Sequence, residues 1–174
     1  MQEVDLVNVI TNYENYYLST DKTARDGTSI IKFEKKEQLL NFEGELGALP
    51  SQRGWVGFAI VRFPVSLSEG VKNILFNTSS NTPWIKFRIT ITTVDTPAQY
   101  SYFYEFLAPK CPVSESICLQ LNKFKGNYRG NSADLPPLCS QKINEIGIEV
   151  TRSSQDESVK GTHPEMINFH LQVW

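Results

Sequence analysis

Apolar and polar residues alternate with a period of two through most of this chain, the pattern of strands buried on one face. The cleanest run is Trp84–Thr93, where Ile85, Phe87, Ile89 and Ile91 share a face opposite Lys86, Arg88, Thr90 and Thr92. Burying four such side chains is worth about 6–12 kcal/mol before chain entropy opposes it. Gln99–Leu107 follows, with Tyr100, Tyr102, Tyr104 and Phe106 in line. Leu119–Val150 reads as strand, loop, strand. Leu119-Gln120-Leu121-Asn122 alternates and reaches Phe124; later, Ile146, Ile148 and Val150 alternate with Gly147 and Glu149. Between them, Lys125 to Gly130 and Asp134 to Leu138 predict a long irregular surface loop, since two glycines, an asparagine and a proline pair break regular structure. Ile167, Phe169, Leu171 and Val173 predict a closing strand.

The remaining segments fit the same scheme. Val7 and Val9 alternate like a strand, while Leu6, Ile10, Tyr13 and Tyr17 form a helical stripe, so the start reads as a short strand and a helical turn near Thr11–Tyr16. Ile31 and Phe33 lie in a short strand joined by a Lys35-Lys36-Glu37 tip to Leu40–Glu43. Gly44 to Gly54 reads as loop. Trp55 to Phe63 is nearly continuous apolar sequence, predicting a central strand in which Gly57 allows close backbone approach. Pro64 to Gly70 reads as a connection, Asn73–Asn77 as a strand, Thr78 to Pro83 as a turn and Ser153 to Pro164 as a charged loop. About nine strands with turn signals every 8–12 residues predict a single all-β domain, a sandwich or jelly roll.

Composition narrows the function. The formal net charge of -2 over 174 residues gives no electrostatic case for nucleic acid or a membrane surface. No apolar run reaches the roughly 20 residues of a membrane helix, so no membrane insertion is expected. The start, Met1-Gln2-Glu3-Val4-Asp5, resembles neither a secretory signal nor a transit peptide. The expectation is an intracellular protein, cytoplasmic as the sequence stands and mitochondrial if a presequence has been removed. Cys111, Cys118 and Cys139 have no CxxC spacing and read as reduced thiols; no metal or other cofactor is expected. His163 and His170 have no nucleophile at a defensible spacing, and GxSxG, GxGxxG and P-loop patterns are missing. The chain therefore reads as non-enzymatic, with no catalytic residue.

Two binding surfaces remain. Lys110, Lys123, Lys125, Arg129 and Lys142 thicken the positive charge around the central loop. They form either a solvated rim or a docking patch in which Arg129 offers a planar fork for a carboxylate and Tyr128 an amphipathic contact. Arg129 has an alternative role pinning the loop through backbone carbonyls. Candidate partner-binding residues are Lys125, Tyr128, Arg129, Asp134 and Leu135. The alternative is a sugar-stacking surface on Trp84, Tyr100, Tyr102 and Tyr104, whose rings equally suit half-buried strand packing.

Four blocks in order resemble the complex I intermediate-associated protein 30 (CIA30) family. They are Asp21 with Asp26-Gly27-Thr28-Ser29; Phe42-Glu43-Gly44-Glu45-Leu46 with Gly57 to Arg62; Phe124 to Gly130 with Pro137-Leu138 and Lys142 to Gly147; and Phe169 to Val173. Asp26 stands where the family has the first glycine of a pair, and Asn77–Pro83 replaces its Gly-Asp-Gly-Arg turn. The resemblance implies a galactose-binding-like sandwich that binds protein partners as an assembly factor, respiratory-complex subunits or another assembly factor among them. It also links the fold to carbohydrate-binding modules, which keeps carbohydrate as the alternative ligand.

Overall fold

A computed structural model describes residues 3–24, 27–47, 57–68, 70–81, 85–129, 131–138, 142–152 and 166–174. These residues form thirteen strands and three short helical turns. In chain order they are β1 (Glu3–Asp5), α1 (Leu6–Thr11), β2 (Tyr17–Thr20), α2 (Asp21–Ala24), β3 (Ile30–Lys36), β4 (Leu39–Gly47), β5 (Phe58–Leu67), β6 (Asn73–Ser80), β7 (Ile85–Thr93), β8 (Tyr100–Phe106) and β9 (Glu115–Gln120). A 3₁₀ turn (Leu121–Lys123), β10 (Lys125–Tyr128), β11 (Asn131–Ala133), β12 (Ile143–Arg152) and β13 (Met166–Val173) complete the chain.

The strands make a sandwich of two sheets. One is six-stranded, ordered β1-β6-β13-β4-β3 with β9 on the other side of β6; the second is seven-stranded, ordered β11-β10-β8-β7-β12-β5-β2. Alternation along each strand sends one set of residues into the shared interior. Phe42, Leu46, Phe169 and Leu171 from the first sheet and Phe63, Phe87, Ile89, Ile146 and Ile148 from the second are buried there. Phe33 meets Phe63 with ring centroids 5.3 Å apart, and Phe76 meets Phe106 at 5.3 Å, so aromatic contacts join the layers at two places.

Most predicted strands are present, with several boundaries corrected; the short strand expected at Val7 and Val9 is absent, and the helical turn expected near Thr11–Tyr16 lies earlier. The N-terminal ambiguity resolves as a helix at Leu6–Thr11: Leu6, Val7 and Ile10 are buried, and the Asp5 carboxylate caps it by accepting from the Asn8 N–H at 2.9 Å. β4 runs on through Gly44 to Gly47 where a loop was expected. β5 continues through Pro64 to Leu67; this proline pairs with Glu145 beside a register shift in β12, a place where a missing N–H is tolerated. Trp55, Trp84, Cys139 and His163 lie outside the described residues.

The largest correction concerns the central stretch. The strand ends at Gln120, where Leu119–Asn122 was expected to run on, and the predicted irregular loop contains the β10–β11 hairpin. Gly126 sits in β10 because a Cβ there would overlap the Ala133 carbonyl and press on Leu135. Open hydrogen-bonding groups on the edge of β8 recruit β10 into the sheet, and local turn chemistry yields to that pairing.

Candidate functional site

The residues expected to form one docking loop diverge. β10 alternates, so Lys125 and Asn127 share the sheet's outer face, while Tyr128 lies on the opposite side of the strand and stacks on Tyr100. Leu135 is half-buried and packs against the core, and Asp134 is exposed. Tyr128 and Arg129 alone stay together. The aromatic ladder of β8 faces inward: Tyr102 is 3% exposed, and its hydroxyl donates to the Pro136 carbonyl at 2.6 Å. Tyr104 is half-buried against Phe124, ring centroids 5.8 Å apart. Tyr102 and Tyr104 are therefore committed to packing, because strand alternation points them at the interior, and the three rings do not form one sugar platform. Tyr100, at the strand's end, is the one ring of the three that meets Tyr128 (centroids 4.6 Å apart). Lys110, Lys123, Lys125, Arg129 and Lys142 are all exposed, as the solvated-rim reading requires.

The outer face of the seven-stranded sheet carries a row of paired charges. Arg88 is flanked in register by Glu149 on β12 and Glu105 on β8, donates from Nε to Glu105 at 2.7 Å and lies over the Phe103 ring at 4.9 Å. Burial pushes the Glu149 carboxyl above the ordinary carboxylate range, against the opposing pull of Arg88 and Arg62. Burial raises Glu145 too, although Arg62 lies 3.7 Å from it and pulls the other way. Arg88 is committed to its neighbours, so this row is largely self-satisfied.

A groove of about 400 Å³ opens on the outer face of the other sheet. Two rows of side chains cross it through the register of three strands. The first is Lys32 on β3, Glu43 on β4 and His170 on β13; the second is Ile30, Glu45 and Asn168 on the same strands. Asn81 closes one end, and its backbone N–H donates to the His170 carbonyl at 3.2 Å. The floor is held from below by Phe169, which is buried. Several polar groups are fixed in advance. His170 Nε2 and Asn41 Oδ1 are in hydrogen-bond contact, Asn41 Nδ2 donates to Glu43 at 3.2 Å, and His170 lies 3.7 Å from Glu43. Lys32 and Glu45 make no ion pair or side-chain hydrogen bond among the described residues, so an ammonium and a carboxylate remain open for a ligand. Ile30, 44% exposed, supplies an apolar contact at the rim.

Two solved structures share this architecture. The family 11 carbohydrate-binding module of the cellulosomal cellulase Lic26A-Cel5E of Clostridium thermocellum aligns with a TM-score of 0.52 and 13% identity, over 92% of this chain and 87% of that one. The family 11 module from Clostridium thermocellum in complex with a β-1,3-1,4-mixed-linked tetrasaccharide aligns at 0.51 and 12%, over 91% and 86%. The likeness is one of fold. It shows a jelly-roll, galactose-binding-like sandwich: the strand pattern predicted a sandwich or jelly roll, and the family resemblance implied the galactose-binding-like type. No protein-family model matches the chain, and no curated protein matches it in sequence.

These findings correct the expectation of a protein-docking assembly factor. The two solved structures reported above are carbohydrate-binding modules and neither is an assembly factor. The groove was missed in the sequence because its β13 residues lie more than 120 positions from those of β3 and β4 and meet them only through strand register. His170 lies on the outer face of the last strand, between buried Phe169 and Leu171; nothing in the sequence placed it beside Glu43. Among the described residues no group of three His, Cys, Asp or Glu side chains is arranged to hold a metal ion.

Proposed function

We propose that the protein is a non-catalytic carbohydrate-binding module and that the groove between β3, β4 and β13 receives the sugar. One observation carries this reading: donors and acceptors converge on a rigid sheet in two rows, with Lys32 and Glu45 unpaired among the described residues. A sugar presents alternating hydroxyl donors and acceptors above a C–H face. Glu43 and Glu45 accept, Lys32 donates, and Asn81, Asn168 and His170 can do either. Polar groups held on strands lose little freedom when a ligand arrives, which favours binding. The fold shared with carbohydrate-binding modules supports the same reading.

The test is an NMR titration with neutral oligosaccharides, beginning with the β-1,3-1,4-mixed-linked tetrasaccharide and continuing through a glycan panel. Shifts should concentrate at 30–32, 43–45 and 168–170. Glu45→Ala and Lys32→Ala should each lower affinity about tenfold, in line with losing a charge-assisted hydrogen bond, while the melting temperature is kept. No binding to any glycan, or binding indifferent to both substitutions, would remove the proposal.

A further inference from the structure

The groove lacks an exposed aromatic ring; towards the far edge of the other sheet lies a half-buried tyrosine pair. Tyr100 and Tyr128 are register partners on β8 and β10, their ring centroids 4.6 Å apart and their planes tilted by 34°. Neither hydroxyl is hydrogen-bonded among the described residues. Next to them, Arg129 Nε donates to Gln99 Oε1 at 2.9 Å, and the guanidinium carbon lies 5.4 Å from the Tyr128 ring centre. Among the described residues no carboxylate pairs with Arg129, which leaves the rest of its planar fork open to them.

The backbone makes this cluster unusual. Gln99 has φ 70° and Arg129 φ 49°; these are the two non-glycine residues with positive φ among those described. Arg129 begins the two-residue connection between Tyr128 and Asn131. Glycine, asparagine or aspartate is the favoured occupant of such a hairpin position, and arginine is strained there. Two strained residues joined by their side chains, beside two stacked rings with free hydroxyls, mark a place where the side chains matter beyond the turn.

We propose that Tyr100, Tyr128 and Arg129 form a second ligand site, one for a carboxylate-bearing sugar. The sugar ring lies against the tyrosine pair, its hydroxyls meet the two phenols, and its carboxylate takes the open edge of the Arg129 guanidinium. Gln99 is a positioning residue that fixes the guanidinium from behind. This inference rests on the carbohydrate reading but on none of the groove residues.

The experiment is a ¹H–¹⁵N NMR titration with trigalacturonate and, as control, its methyl ester, which keeps the ring and removes the charge. Trigalacturonate should shift the amides of 99–101 and 127–129, and the ester should bind at least tenfold more weakly. Arg129→Gly is the decisive variant. Glycine adopts φ 49° freely, so the melting temperature should stay level or rise, while affinity for trigalacturonate falls at least tenfold. Tyr128→Phe should weaken binding severalfold without moving the melting temperature. Equal binding of acid and ester, full affinity in Arg129→Gly, or no shifts at 99–101 and 127–129 would overturn this site. Shifts confined to 30–32, 43–45 and 168–170 would overturn it and leave the groove standing; shifts confined to the tyrosine pair would uphold it, with the groove judged by the neutral-oligosaccharide titration.

Discussion

Asp21 is fully buried and is held by hydrogen bonds from the start of the next strand. Its carboxylate accepts from the Ser29 N–H at 2.9 Å and the Ser29 hydroxyl at 2.7 Å. The same hydroxyl oxygen accepts the Gly47 N–H at 2.9 Å, so one serine ties α2, β3 and the end of β4 together. Glycines fill the surrounding space because nothing larger fits. A Cβ on Gly27 would overlap Asp21, and one on Gly57 would overlap the Gly47 carbonyl. Ser29→Ala removes a donor to a buried carboxylate and the acceptor of a buried N–H, at a cost of about 2–4 kcal/mol. Thermal melting should record a drop of several degrees; a change under one degree would show that water replaces the hydroxyl. The spacing of Asp21, Gly27 and Ser29 was legible in the sequence as a motif. Its meaning as a buried joint was not, since spacing carries no information about burial.

At the scale of strands, period-two alternation located β3 to β8, β12, β13 and part of β9 but missed β1, β2, β10 and β11; Ile146, Ile148 and Val150 turned inward as read. Alternation is silent about which strand lies beside which, and the chemistry of both outer faces depends on that. Glu149 shows the consequence. Register puts it beside Arg88 on one side and Ile60 on the other, and desolvation outweighs the attraction of the arginines. Its carboxyl in the folded protein therefore keeps its proton above the ordinary value of 4.5. As pH rises past that value the unfolded chain releases this proton first, so the native state binds more protons and stability falls. The loss continues until the folded group ionises as well, and is constant beyond. Glu149→Gln should remove this contribution, raising the melting temperature by a few degrees at neutral pH and leaving it unchanged below pH 4.5. Arg88 keeps Glu105 as its partner in the variant. A lower melting temperature for Glu149→Gln at pH 7 would mean that pairing with Arg88 outweighs burial.

Over the whole molecule, the last strand occupies an interior place. β13 lies between β4 and β6, so the six-stranded sheet is closed by residues that leave the chain's start more than a hundred positions behind. Phe169, Leu171 and Val173 are buried, and Trp174 exchanges backbone hydrogen bonds with Asn77 at 2.7 and 3.0 Å. Emptying a buried position costs about 2–4 kcal/mol for side chains of this size. Three of them together are comparable to the whole net stability of a domain, about 5–15 kcal/mol. A chain ending at Arg152 should therefore lose its cooperative thermal transition and its near-ultraviolet circular dichroism, with apolar surface exposed to dye. It should also lose the groove, because Asn168 and His170 form one wall. The tyrosine pair belongs to the other sheet, yet it too should fail, since β8 packs on β6 through Phe106 and Phe76 and the interior is shared. A synthetic peptide spanning residues 166–174, added in excess, has backbone edges on β4 and β6 waiting for it and should restore the transition. Cooperative melting of the shortened chain without peptide would show that the seven-stranded sheet folds alone, and that the two proposed sites stand on separate foundations.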